Sequence, residues 1–189
     1  MEDIQQRMKD LVLTGRGSRD ETFTALYKAY AKRISSFIEI RLGHNSSQRD
    51  DLTQIVFLKL YTHMLRYNPL YSINTWIFSI TQNTIIDYVR AQAGKAVENT
   101  DCSDIIETFI SPEKGPAEKL IELELSQRID SCIGQMTAAD RQIAYLRFYE
   151  GMKIREIGRV LHIPSGTVKY RIFSIRAKLK RMMEAEGEN

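Results

Sequence analysis

Apolar residues recur at three- and four-residue steps through most of the chain and almost nowhere alternate with polar ones. That spacing predicts helices. Ser18-Arg19-Asp20-Glu21 has the form of a capping box, and it opens a helix carrying Phe23, Leu26, Tyr27, Tyr30, Ile34, Phe37, Ile38 and Leu42. Gly43 ends it, and the polar turn His44-Asn45-Ser46-Ser47 follows. A second amphipathic helix is expected from Leu52 to about Arg66, with Asp50 and Asp51 in its first turn, where they complement the helix dipole. Asn68-Pro69 breaks it. Ser72 can cap a third helix, whose apolar side is Trp76, Ile77, Ile80, Ile85 and Tyr88.

From about Ala91 to Glu118 the periodicity fails. Gly94, Gly115, Pro112 and Pro116 appear there, and six acids outnumber two lysines around a short apolar island of Ile105, Ile106, Phe109 and Ile110. Helical spacing then resumes with Leu120, Leu123, Ile129, Ile133 and Met136, and Thr137 caps a further helix reaching about Tyr149, which Gly151 closes. The pattern is all-α: two small helical domains, at 1–94 and 119–189, joined by a flexible acidic linker at 95–118.

Residues 152–173 read as a short helix, a tight turn and a longer helix. Ile154, Ile157, Val160 and Leu161 supply the buried face of the first, and Gly158 lets the second pack close. Ile163 and Pro164 make the turn, Ser165 is placed as N-cap, and Val168, Ile172 and Ile175 face inward. That is a helix-turn-helix. Lys169, Tyr170, Phe173 and Ser174 then fall on the outward side, flanked by Thr167, Arg171 and Arg176, where a recognition helix meets the major groove.

Charge adds weight to this reading through its distribution. The 27 Lys+Arg and 24 Asp+Glu of the 189 residues leave only +3. Residues 152–183, however, hold nine basic side chains and one acid, a local +8, so the rest of the chain carries −5. A basic stripe on a helix-turn-helix is a footprint for phosphate contacts. Lys178, Lys180 and Arg181 serve equally well as solvated helix-end charges that complement the dipole. Two cysteines and three scattered histidines can build neither a disulfide framework nor a zinc site. No catalytic triad, paired carboxylates or glycine-rich phosphate loop stands in a suitable setting, so no enzymatic activity, cofactor or metal is expected. No apolar run approaches the roughly 20 residues that span a bilayer, and the first residues lack a signal-peptide core; a cytoplasmic protein without membrane insertion is expected.

Four segments, in order, resemble bacterial RNA polymerase sigma factors of the extracytoplasmic-function class, which keep only the second and fourth sigma regions. Phe23-Thr-Ala-Leu-Tyr-Lys-Ala-Tyr30 resembles the opening helix, and Asp51-Leu-Thr-Gln-Ile-Val-Phe-Leu-Lys-Leu-Tyr61 the helix that docks on polymerase. Trp76-Ile-Phe-Ser-Ile-Thr-Gln-Asn83 with Asp87-Tyr-Val-Arg90 is similar to the helix of −10 recognition. Leu146-Arg-Phe-Tyr-Glu-Gly151 and Gly166-Thr-Val-Lys-x-Arg171 match the region that reads the −35 element. The resemblance implies promoter DNA, core RNA polymerase (the clamp helices and flap of its large subunits) and an anti-sigma factor as partners. It places polymerase contacts at Asp51, Gln54, Phe57 and Leu58, and −35 contacts at Ser165, Thr167, Lys169, Tyr170, Arg171, Phe173, Ser174 and Arg176. Departures are Ile55 for the usual Glu, His162 for Gly, Ile73 for Phe and Thr81 for Ala, with Ile55 and Ile73 on surfaces the family uses.

A factor that opens DNA must hold unpaired bases, by stacking on aromatic rings and by hydrogen bonds to exposed base edges. Tyr71 and Trp76 offer flat faces, Asn68 and Asn74 offer paired donors and acceptors, and Thr75 lies between them; Asn83 sits a turn or two further along the same helix. Trp76 also shares helical phase with Ile80 and so is a core candidate, and Asn83 could equally brace a neighbouring helix. A stand-alone regulator that binds duplex DNA without polymerase is the alternative, since the physics of the helix-turn-helix is the same.

Overall fold

The computed structural model describes residues 2–42, 46–93 and 136–184, and among them every regular element is helical. The acidic linker, its apolar island, His44 and Asn45 of the expected turn, and the helix expected over Leu120–Met136 lie outside the described residues, save for Met136, which is buried in a bend. The N-terminal half consists of α1 (Glu2–Thr14), α2 (Arg19–Leu42), α3 (Ser46–His63) with a closing 3-10 turn (Met64–Arg66), and α4 (Ile73–Ala93). The C-terminal half consists of α5 (Ala138–Ala144), a π-helical turn (Tyr145–Tyr149), α6 (Ile154–Leu161) and α7 (Ser165–Glu184).

Helix α2 buries Leu26, Tyr30, Ile34, Phe37 and Ile38, the stripe its spacing predicted. Ser18 caps it through the Glu21 amide at 3.3 Å. Its start is pinned to the end of α3, because Arg19 donates to the Tyr61 carbonyl at 2.5 Å while its guanidinium lies 4.1 Å from that ring's centroid. Helix α1 was not among the predicted elements. Ile4, Met8 and Leu11 bury against α2 and the 3-10 turn, and their i, i+4, i+7 spacing was the available signal.

Helix α3 begins at Ser46, six residues before the expected start, so Asp50 and Asp51 lie beyond its first turn. Of the residues expected to form a turn, Ser46 and Ser47 join the helix, in which Arg49 pairs with Glu39 and Asp50. Ser72 caps α4 as expected, accepting from the Thr75 amide at 3.3 Å. In α4 the buried set includes Ile73, Ile77, Phe78 and Ile85, and also Thr75, Thr81, Gln82 and Thr84. Both faces are covered because α4 packs on α3 on one side and on α6 on the other.

In the C-terminal half Thr137 caps α5 through the Asp140 amide at 3.2 Å, and Gly151 turns the chain at φ +68°. Ser165, expected as the N-cap of α7, is instead its first helical residue; the Pro164 carbonyl accepts the first bond, from the Val168 amide at 3.1 Å. A Cβ added at Gly158 would meet the Ile163 carbonyl oxygen at 2.8 Å, so the two helices of the motif can approach this closely only without a side chain there. Gly158→Ala should therefore destabilise the C-terminal half by about 1–3 kcal/mol, as overpacking does. A lowered urea midpoint with an unchanged slope would show it; an unchanged midpoint would mean the carbonyl can yield freely.

Candidate nucleic-acid interfaces

The outward face of α7 is laid out as its phase requires. Val168, Ile172 and Ile175 are buried, while Tyr170 and Phe173 are 72% and 71% exposed and Lys169 and Ser165 stand out beside them. Thr167 and Ser174 are half-buried at its edges. Two of the expected contact residues are already engaged. Arg171 donates to Asp140 at 3.0 Å, tying α7 to α5, and the Arg176 guanidinium lies 5.6 Å from the Phe148 ring centroid.

The segment from Tyr67 to Trp76 is built around a buried tyrosine. The Tyr67 hydroxyl donates to the Tyr71 carbonyl at 2.6 Å, and its ring meets Trp76 edge-on at 5.5 Å. Trp76 is thus half-buried against the core, with part of the ring left over. Asn68 accepts from the Leu70 amide at 3.0 Å and is otherwise exposed, and Tyr71 is 40% exposed. Thr75 is buried, and Ile73, expected at a functional surface, is a core residue at 3% exposure.

On α3, Asp51, Gln54 and Leu58 are exposed as expected of a docking face, but Phe57 is not among them. Its ring packs at 4.6 Å from Tyr27 and 6.1 Å from Phe23, inside the bundle. The helix turns Phe57 inward with Val56 and Leu60, and the apolar side chains left facing solvent are Ile55, Leu58 and, in the turn beyond, Leu65.

The two halves meet across polar side chains, among them Ser72, Asn74, Thr75 and Asn83 of α4 and its cap, with Asn83 bracing a neighbouring helix as its alternative reading has it. The Arg33 guanidinium pairs with both carboxylate oxygens of Glu150, whose side chain is fully buried. Burial acts to lower the Arg33 pKa, but the hydrogen bond and charge of Glu150 outweigh it and hold the guanidinium above its ordinary value. The Tyr145 hydroxyl donates to the Arg33 carbonyl at 3.0 Å, and its ring lies 5.9 Å from Phe37 and 6.2 Å from Phe78. Burial pushes that phenol far above its ordinary pKa. Asn74 accepts from the Tyr30 hydroxyl at 2.5 Å and donates to the Glu150 carbonyl at 3.5 Å. Gln142 donates to Gln82 at 2.9 Å, Glu156 accepts from Ser72 at 2.6 Å and Thr75 at 3.2 Å, and the His162 ring bonds Asn83 at 2.8 Å.

A helical bundle with a basic helix-turn-helix docked on it is the build of a DNA-binding protein. Among the described residues no helix is long and apolar enough to cross a membrane, and no cluster of His, Cys, Asp or Glu could hold a metal ion. Residues 23–94 match the model of sigma-70 region 2, and residues 126–179 that of sigma-70 region 4. The chain is 25% identical over 185 residues to the ECF RNA polymerase sigma factor SigW of Bacillus subtilis, covering 95% of this chain and 96% of the relative. Among solved structures it resembles CnrH in complex with the cytosolic domain of CnrY, with a TM-score of 0.60, 20% identity and coverage of 97% of this chain and 99% of that one. It also resembles the sigma factor RpoE in complex with the anti-sigma factor NepR from Bartonella quintana, with a TM-score of 0.62, 18% identity and coverage of 87% and 98%. The chain belongs to the sigma-70 family, in its extracytoplasmic-function class.

Glu156 gives the contact between the halves a pH dependence. Burial acts to raise its pKa, but hydrogen bonds from Ser72, the Lys153 amide and Thr75, with the Lys153 charge, hold it below the ordinary glutamate value. A depressed carboxylate pKa stabilises the arrangement at pH above the free value, and that stabilisation is lost as pH falls through the depressed one. The halves should therefore loosen in acid, read as a rise in the radius of gyration by small-angle scattering. In Glu156→Gln the rise should be shallower; an identical pH profile would remove Glu156 as a contributor.

Proposed function

We propose that this transcription initiation factor binds core RNA polymerase through the exposed face of α3 and carries it to promoters with two separated elements. Helix α7 enters the major groove of the −35 element, where Lys169, Tyr170 and Phe173 reach base edges and phosphates, with Ser165, Thr167, Arg171, Ser174 and Arg176 around them. The loop and first turns of α4 hold the melted −10 strand. Tyr71 and Trp76 offer stacking faces, and Asn68, Asn74, Thr75 and Asn83 offer hydrogen bonds, each stacked base contributing roughly 1–3 kcal/mol. The domains follow the division at 1–94 and 119–189, with the acidic segment 95–118 between them. The factor performs no chemistry of its own and works in the cytoplasm, where polymerase is. Since CnrH and RpoE were each solved with a partner protein, we extend an anti-sigma partner to this chain as well.

The observation that carries this reading is the outward face of α7, where two large aromatic side chains stand about 70% exposed beside a lysine while the opposite face is closed. Exposed rings in that number on a basic recognition helix are costly in water unless a ligand covers them. Run-off transcription with purified core polymerase on a pooled promoter library tests the class and the specificity together. Transcripts that depend on the factor support it, whereas tight binding of duplex DNA by the factor alone and no transcripts would favour the stand-alone regulator.

The two DNA surfaces should separate under mutation. Lys169→Ala or Phe173→Ala should weaken closed-complex formation on −35-dependent promoters by about tenfold, or roughly 1.4 kcal/mol. Trp76→Ala should leave closed binding near normal and reduce permanganate reactivity of the −10 thymines. Equal losses in both assays for all three variants would refute the division of labour.

A further inference from the structure

Three groups surround the side-chain amide of Asn74, and their chemistry settles which way it points. The Tyr30 hydroxyl lies 2.5 Å and the Arg33 guanidinium 3.4 Å from one terminal atom, while the Glu150 carbonyl lies 3.5 Å from the other. A guanidinium carries hydrogen-bond donors only, and a carbonyl oxygen only accepts. The atom facing Arg33 is therefore the oxygen, and the atom facing Glu150 is the nitrogen. Tyr30 then donates to the lone pair that Arg33 leaves. Its side chain is fully buried, and burial, against the opposing charge of Arg33, holds the phenol above its ordinary pKa, so the proton stays on the hydroxyl. The Arg33 guanidinium also lies 4.1 Å from the Tyr30 ring centroid, so the two donors stand as one unit on α2, in the same bundle as α4.

We propose that Tyr30, with Arg33, is a positioning residue that fixes the polarity of Asn74 and thereby sets which base is accepted at one place in the −10 strand. The proposal rests on the assignment of Asn74 to that strand. An asparagine free to turn pairs well with adenine, because it sets a donor and an acceptor side by side against N7 and N6. Here the oxygen is withheld, and the amide offers N–H groups alone. The amino group of adenine then meets a donor with a donor. Guanine presents N7 and O6, and cytosine N3 and O2, as neighbouring acceptors that the two N–H groups of one nitrogen can serve. Asn74 therefore selects guanine or cytosine against adenine, the reverse of the usual asparagine preference. The Glu150 carbonyl that stands at this nitrogen is itself an acceptor, the kind of atom required of the base. Discrimination follows because a wrongly matched polar group is left unpaired in a desolvated site.

The test uses core polymerase carrying the full-length factor, which transcribes a promoter pool randomised over the −10 segment; the transcribed templates are then sequenced. Wild type is compared with Asn74→Ala and Tyr30→Phe. The position Asn74 reads is the one whose base preference Asn74→Ala flattens. At that position the wild type should disfavour adenine about tenfold against guanine or cytosine. Tyr30→Phe keeps the ring and frees the amide to turn, so the ratio should narrow to about threefold or less, with preferences elsewhere in the −10 segment and at −35 unchanged. A second measurement needs no variant of Tyr30. Single-stranded −10 oligonucleotides carrying either adenine or unsubstituted purine at that position are bound to the wild-type holoenzyme, and purine, which lacks the amino group, should bind about tenfold more tightly. Unchanged base choice in Tyr30→Phe, an equal loss on every template, or adenine and purine bound alike would overturn the proposal. The readings beneath it fail separately: no transcripts from the wild type refutes the sigma reading, and Asn74→Ala with every base preference intact removes Asn74 from the strand site, each taking the proposal with it.

Discussion

The arrangement of the two halves hangs on the ion pair between Arg33 and Glu150. A fully buried carboxylate is tolerated only where a charge partner and good geometry offset its lost hydration, and removing one partner of such a pair costs about 3–5 kcal/mol. Arg33 meets that demand with two donors on the two carboxylate oxygens. The same residue's carbonyl accepts from Tyr145, five positions before Glu150. One residue of α2 thereby holds both ends of the π-helical turn, and with it the entry into α6 and the orientation of the whole helix-turn-helix.

Around that anchor the interface differs in kind from the cores of the two halves. Beside Tyr145 against Phe37 and Phe78, it carries Gln82 with Gln142, Ser72 and Thr75 with Glu156, Asn74 with the Glu150 carbonyl, Asn83 with His162, and Tyr71 under Arg159. Water can satisfy each of these groups when the halves part, so the net contribution of each bond is about 0.5–1.5 kcal/mol rather than its full strength. Leu, Ile and Phe side chains in the cores have no such substitute, at roughly 1.5–3 kcal/mol each. Polar contacts between domains that move are the ordinary expectation.

The same contrast explains what could be read from the chain. Apolar periodicity reports burial against apolar partners, and it located α2, α4 and the helix-turn-helix, down to the inward phase of Val168, Ile172 and Ile175. It was blind to Thr75, Gln82 and Gln142, which are buried by polar neighbours distant in sequence. The motif places Phe57 on the polymerase surface, yet it lies one position from Val56 and three from Leu60 and turns inward with them. Ile73 moved to the core for a similar reason, since the first turn of α4 is covered from both sides. Helix α1 gives a weaker signal because its three anchoring residues are separated by a strongly polar run, although their spacing alone marks one buried face. The outward face of α7 is more legible, because an exposed face is whatever the core phase leaves over.

His162 shows how one departure from a family pattern can shift a property without altering the fold. It occupies a left-handed turn at φ +56°, where glycine adds no steric cost and an L-residue costs about 1–2 kcal/mol. That strain is present whether the halves are together or apart, so it cannot itself favour either state. What differs between the states is the bond from the ring to Asn83, which exists only when α6 lies on α4. A glycine there would relieve the turn and leave Asn83 open to other partners. The histidine accepts a fixed cost in the motif and returns a contact that acts only on the balance between the halves, an exposed one beside the buried ion pair of Arg33 and Glu150.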